Sequence, residues 1–164
     1  MEEIARSARV SIGTLYNHFG SREGLIDAVI PEVAGEMLKT LGLHVLQQPT
    51  TRQRLEAFIH GMIDLQHSNP ALNDAVLQRY PDATALLNIC EAFTALGKSL
   101  IHEAHREGLL APDFSEDDLN DLLWLAATAN RASNAPAGWR RVINRAVDSA
   151  WIDPPPEQAA TRRP

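Results

Sequence analysis

The strongest constraint on this chain is the stretch from Ile4 to Arg22, which reads as two short helices joined by a tight turn. Ile4, Ala5 and Ala8 form one apolar helical face, and Val10 follows in a three-residue turn. Ser11 is placed to cap a second helix, its hydroxyl accepting from the free N–H groups of the first turn. In that helix Ile12, Leu15 and Phe19 fall at spacings of three and four, so they point back at the first helix. Thr14, Tyr16, Asn17 and His18 occupy the other face, all able to hydrogen-bond and none suited to a core. Two short helices with a polar outer face on the second form a helix-turn-helix, the arrangement that sets one helix into the DNA major groove.

Ile4-Ala5, then Val10-Ser11-Ile12-Gly13-Thr14-Leu15-Tyr16-Asn17-His18-Phe19, then Ser21-Arg22-Glu23-Gly24-Leu25 closely resembles the DNA-binding signature of TetR-type transcriptional regulators. The resemblance covers about the first 30 residues and centres on Thr14-Leu15-Tyr16-x-x-Phe19. It implies a DNA-binding set of Ser11, Ile12, Gly13, Thr14, Tyr16, Asn17, His18 and Arg22. Within that set Thr14, Tyr16 and His18 would meet phosphate oxygens. Ile12, Gly13 and Asn17 would face base edges, and Arg22 would hold backbone at the start of the next helix. The residue types agree, since hydroxyl, phenol and guanidinium groups suit phosphates and Asn pairs with an adenine edge.

Two departures from the family pattern stand out. Such regulators carry a further helix ahead of the motif, whereas here Met1 lies directly on the motif's first helix, so the expectation is a head lacking its first helix. The turn position where the family has glycine holds Arg9. A left-handed residue with a Cβ costs roughly 1 kcal/mol there.

The rest of the chain bounds the reading. At 164 residues it is long enough for a small module joined to a larger helical domain. No run of about 18 apolar residues indicates a membrane helix, and no signal-peptide pattern opens the chain. One cysteine, Cys90, excludes an internal disulfide and suits a reducing cytoplasm. The formal charge is −6, unusual for a protein whose whole surface meets DNA. Residues 1–24 balance Arg6, Arg9 and Arg22 against Glu2, Glu3 and Glu23, so the acidity belongs to the body. A head without net positive charge gains little from phosphate electrostatics alone.

Along the chain, Ser21 caps a helix running through Leu25, Ile26, Val29, Ile30, Val33 and Met37 toward Leu41, with Pro31 inside it as a kink or, more sharply, a break. Gln47-Gln48-Pro49-Thr50 is a boundary, and Thr50 with Gln53 has the form of a capping box. Leu55, Phe58, Ile59, Met62 and Leu65 share the next helical face, which stops near Ser68-Asn69-Pro70. A short helix is expected around 71–79. Pro81 opens another helix, with Leu86, Ile89, Cys90, Phe93, Leu100 and Ile101 inward and Gly108 as its stop. Ser115 with Asp118 begins the penultimate helix, helped by Glu116 and Asp117. Trp139, Val142, Ile143, Ala146, Val147, Ala150 and Trp151 mark the last helix, ended by Pro154-Pro155-Pro156. The fold expected is all-α: a helix-turn-helix head over 1–30, a helical regulatory and dimerisation domain over 31–153, and a disordered tail over 154–164.

Each of the last two helices is apolar over a broad face, which serves a core or a four-helix contact with a second copy. The resemblance implies a homodimer through these helices, with Leu122, Trp139, Ile143, Val147 and Trp151 as interface residues. It also implies a pocket for a small-molecule effector of unknown identity, lined by Met37, Phe58, Met62, Phe93, Leu96 and Trp124, with His60, Asn88 or Asn130 as polar contacts. Apolar residues at helical spacing are more often simply core.

An enzyme is the competing class. His102-Glu103-Ala104-His105 has two histidines beside a carboxylate, but lacks the four-residue spacing of the zinc-protease helix and a third ligand. No nucleophile elbow, dinucleotide fingerprint or cysteine pair occurs. The sequence is therefore read as a cytoplasmic TetR-like regulator, a ligand-responsive repressor acting as a homodimer on a palindromic operator, with no cofactor, no metal and no membrane partner. The alternative is a dimeric small-molecule-binding or interaction domain that has lost DNA binding.

Overall fold

A computed structural model describes residues 1–70, 72–74 and 84–152, the Leu86 side chain excepted. The helix start expected at Pro81 and the tail expected over 154–164 lie outside the described residues. Of the helix expected over 71–79, residues 72–74 are helical. The helices bounded within the described residues are, in order, α1 (Glu2–Ala8), α2 (Ile12–Phe19), α3 (Arg22–Leu46), α4 (Thr51–Ser68), α5 (Thr84–Arg106), α6 (Glu116–Arg131) and α7 (Trp139–Ser149). Among the described residues there is no strand, and the fold is all-α.

Local chemistry sets the boundaries. Ser11, Ser21 and Thr50 each cap a helix, their hydroxyls accepting from the backbone N–H three residues on at 3.0, 3.0 and 3.2 Å. Ser115 and Asp118 form a full reciprocal box at the start of α6. Arg9 adopts the left-handed conformation, φ 57°, so the turn after α1 is made without glycine. Val10 N–H closes it onto Ala5 C=O at 3.0 Å. Pro31 does not break α3, which runs on through it for 25 residues.

α3 is the element shared by both ends of the molecule. Near its start Leu25 is buried with Ala5 and Leu15 in the small head core. Farther along, Ala34 and Leu38 pack with Leu65 and Leu72, and Val45 joins the main core of Leu55, Phe58, Ile59, Leu100, Ile101 and Leu119. α3 lies against α4 and α5, and α4 also packs on α6. Val29, Val33 and Met37 remain exposed, because α3 carries more apolar residues than its packed face uses. An antiparallel bridge between Leu110 and Trp151 ties the loop after α5 to the end of α7.

Gly24 is required by a close approach. A Cβ there would collide with the Phe19 carbonyl at the end of α2. Gly35 in the same helix faces open space. Gly24→Ala is therefore expected to destabilise the chain by about 1–3 kcal/mol through overpacking, while Gly35→Ala should stabilise it by about 0.5–1 kcal/mol. Urea unfolding of the two variants beside the parent checks both signs.

Candidate nucleic-acid interface and internal cavity

The helix-turn-helix surface is built from the core outward. Leu15 is the buried anchor of α2 and Phe19 is half-buried. The remaining positions of the expected set, Ser11, Ile12, Gly13, Thr14, Tyr16, Asn17 and His18, are exposed. Ile12, which the three-four spacing turns toward α1, is 41% exposed and stands on the outer surface. Ser11 Oγ and Thr14 Oγ1 lie 2.8 Å apart, fixing the two hydroxyls at the helix N-terminus. His18 meets Phe19 edge-to-face with ring centroids 4.6 Å apart and remains exposed. Arg22 is exposed in the first turn of α3, just after the Ser21 cap. The result is an outer face of donors and acceptors, with Ile12 and Gly13 among them, backed by buried Leu15.

The second feature is a half-open cavity of about 440 Å³ in the body, a volume in the range that holds small organic ligands. Phe58, Met62, Phe93 and Trp124 line it, together with Leu38 of α3 and Leu119 and Leu123 of α6. Phe58 and Phe93 are stacked, centroids 6.3 Å apart at 19°. Gly97 makes room: a Cβ there would press on Phe58 and Leu119. Met37 and Leu96 do not line this cavity. Met37 borders a shallow groove between α3 and α4, and Leu96 packs against the main core.

The polar wall is not the one expected. His60 and Asn88 are exposed, and Asn130 is engaged with His67 Nδ1 at 3.0 Å. The cavity's polar residues are Gln66, Asn73, Thr94, Lys98, Glu116 and Asn120. The amide nitrogen of Gln66 donates to Leu123 C=O at 3.3 Å and that of Asn73 to Ala127 C=O at 2.9 Å, so both are pinned to α6. Their carbonyl oxygens, Gln66 Oε1 and Asn73 Oδ1, are buried without a partner. Each such group carries a desolvation penalty of about 1–3 kcal/mol. Gln66 had a signal in the sequence: with Phe58 and Met62 it repeats every four residues, a polar side chain on an apolar stripe.

Charge at the cavity is balanced. Lys98 Nζ and Glu116 Oε2 pair at 2.9 Å, and His102 Nε2 lies 2.7 Å from Glu116 Oε1. Hydrogen bonds from Lys98 and then His102 hold the Glu116 carboxyl below the usual carboxylate range, and the same bond from Glu116 raises Lys98. Burial pushes the Cys90 thiol up, which makes this cavity-lining sulfur a weak nucleophile. The His102–His105 segment divides among separate partners: His102 to Glu116, Glu103 to Arg54 at 3.1 Å, and His105 to Phe114 C=O at 2.8 Å.

The residues expected at a dimer interface are distributed differently. Ile143 and Val147 on α7, and Trp151 just past its end, are buried in the chain's own core, with α7 packed on α6 and Trp151 bridged to Leu110. Leu122 and Trp139 are partly buried against that core. The apolar residues left outside on these two helices are Trp124, Leu125 and Val142, at 55%, 51% and 66% exposure.

Residues 1–29 match the profile of bacterial regulatory proteins of the tetR family. The chain is similar to the HTH-type transcriptional regulator BetI of Escherichia coli, 34% identical over 73 residues, which is 43% of this chain and 37% of that protein. BetI proteins of other strains of the species match at 33% over 64 residues, 38% of this chain and 33% of theirs. The similarity thus spans about a third of the length of these curated relatives. Among solved structures, a TetR-family transcriptional regulator from Rhodococcus sp. has a TM-score of 0.59 at 20% identity over 92% of this chain and 86% of its own. One from Haemophilus influenzae has 0.54 at 22%, over 92% and 87%. At these identities the likeness is one of fold.

Because a depressed carboxylate stabilises above its usual titration range and loses that contribution as pH falls through the lowered value, Glu116→Gln should flatten the acid limb of the stability profile. Thermal melting of both proteins across the acid range is the check, and unchanged acid sensitivity in the variant would refute the assignment.

Proposed function

We propose that this chain is a TetR-type transcriptional regulator that binds an operator through the exposed face of α2 and releases it when a small molecule fills the half-open cavity of the body. The observation that carries the reading is the division of α2. Leu15 locks into the head core while Thr14, Tyr16, Asn17 and His18 all stand outside it. A short helix with that division fits a major groove. Residues 1–30 are read as the DNA-binding head and residues 31–153 as the regulatory body, acting in the cytoplasm where operator DNA is found.

The cavity supports an effector because its walls include the helix that carries the head. α3 begins at Arg22 and reaches the cavity at Leu38. The start of α5 is also tied to α3, since Ala85 N–H donates to Asp27 Oδ1 at 2.8 Å. An occupant that fits one α3–α5–α6 arrangement better than another shifts the population toward it. Such a shift alters where the head sits, and repression is the mode in which effector binding frees the gene.

Two heads on a palindromic operator require a dimer. Trp124, Leu125 and Val142 are the apolar surface available for it, with Trp124 also forming part of the cavity wall. Val142→Arg should convert dimer to monomer in sedimentation velocity while leaving the far-ultraviolet helix signal intact. A dimer unaffected by Val142→Arg would move the interface elsewhere.

Operator binding is tested by fluorescence anisotropy with DNA flanking the chain's own gene against scrambled DNA of equal length, at low and moderate salt. Asn17→Ala should reduce specific affinity by about 1–3 kcal/mol with little effect on scrambled DNA. Arg22→Ala should weaken both alike and lower the salt slope by about 1. Equal affinity of the parent for the two DNAs would sink the reading.

A further inference from the structure

We infer that the effector is an uncharged, largely apolar molecule bearing an O–H or N–H donor, and that Gln66 and Asn73 are the residues that select it. This rests on the regulatory reading of the cavity and specifies its chemistry. Three observations converge. The body of the cavity is aromatic and aliphatic, with Phe58 and Phe93 stacked and Leu38, Met62, Leu72 and Leu119 around them. Its charged groups, Lys98 and Glu116, are paired with one another at 2.9 Å, so neither is left to neutralise an ionic ligand. The amides at its wall, Gln66 at 9% and Asn73 at 3% exposure, have their nitrogens donating to α6 and their oxygens unpartnered.

The pinned nitrogens decide the polarity of the site. Because each N–H₂ already donates to a helix carbonyl, the unmet capacity of each amide is as an acceptor. A ligand carrying only acceptors, such as an ether or ester, would meet an oxygen with an oxygen. A carboxylate would add an unpaired charge to an apolar wall. A hydroxyl or N–H supplies the missing partner: both residues line the cavity, and each oxygen, covered as it stands, meets an occupant's donor after a local shift of the wall.

The test uses three probes of one shape: 4-heptylphenol, its methyl ether 4-heptylanisole, and 4-heptylbenzoate. Calorimetry measures affinity for the full chain, and protection of Cys90 from methyl methanethiosulfonate reports occupancy of the cavity, which that thiol lines. The phenol is expected to bind about tenfold more tightly than the ether, the worth of one hydrogen bond to a buried acceptor, and more tightly than the benzoate. In Gln66→Met, close in length and without the acceptor, the preference for phenol over ether should shrink several-fold while the ether's affinity holds. Asn73→Leu should do the same; the comparison in the parent protein stands even where that variant fails to fold. Equal binding of phenol and ether, tighter binding of the benzoate, or no Cys90 protection by any probe overturns the inference. Operator affinity measured with and without the phenol separates the two claims. Selective binding of the phenol that leaves DNA affinity unmoved supports the ligand class and overturns the regulatory reading.

Discussion

Burial of one face of α3 along its length is the constraint on which the rest depends. Leu25 closes the head core, Ala34 and Leu38 meet α4 beside Leu72, and Val45 seals the main core at the far end. A helix rises about 1.5 Å per residue, so these contacts space the head from the body along a single stiff element. Ser21 and Gly24 secure its start against α2, the one by accepting the Gly24 N–H and the other by lacking a Cβ where Phe19 C=O approaches. Residues α3 leaves exposed, Val29, Val33 and Met37, show that its apolar content exceeds what this packing needs.

What was legible in the sequence was what local chemistry determines. The caps at Ser11, Ser21, Thr50 and Ser115 follow from hydroxyls placed before apolar periods, and each accepts the expected N–H. The Arg9 turn adopts the left-handed conformation that its position between two short helices demands. The polar face of α2 reads directly from spacing. In each case the determining partners lie within a few residues, so a linear pattern contains the answer.

What was not legible depends on which surface covers which. The three-four period over 139–151 marks Ile143, Val147 and Trp151 as an apolar face, but a period is silent on where the helix stops and on what that face meets; here α7 ends at Ser149 and all three residues are in the chain's own core. Leu96 lies three residues from cavity-lining Phe93 but packs on the main core, and Met37, next to cavity-lining Leu38, points instead into the groove between α3 and α4. Asn73 gains its role from Ala127, which is 54 residues away in the chain, and Gln66 from Leu123 at 57. Only Gln66, a polar side chain on the Phe58–Met62 stripe, broke a pattern visibly enough to be noticed.

The two amides also explain how one ligand contact can matter to distant geometry. Apolar burial in a preformed cavity stabilises every state that keeps the cavity, so it contributes affinity without necessarily choosing between head arrangements. Moving a two-state equilibrium from 1:99 to 99:1 requires a difference of about 5.5 kcal/mol between the states, and the discriminating part must come from groups whose surroundings change. Gln66 and Asn73 bind α6 backbone with one end of the amide while the other end waits for a donor. A donor at the oxygen polarises the amide and strengthens its N–H bond to α6, the helix whose outer side carries exposed Trp124 and Leu125. In the dimer proposed here, a ligand that satisfied the amides would favour one seating of α6 against α4. The effect would reach the partner through the outer face of α6 and the head through α3, which shares the cavity wall.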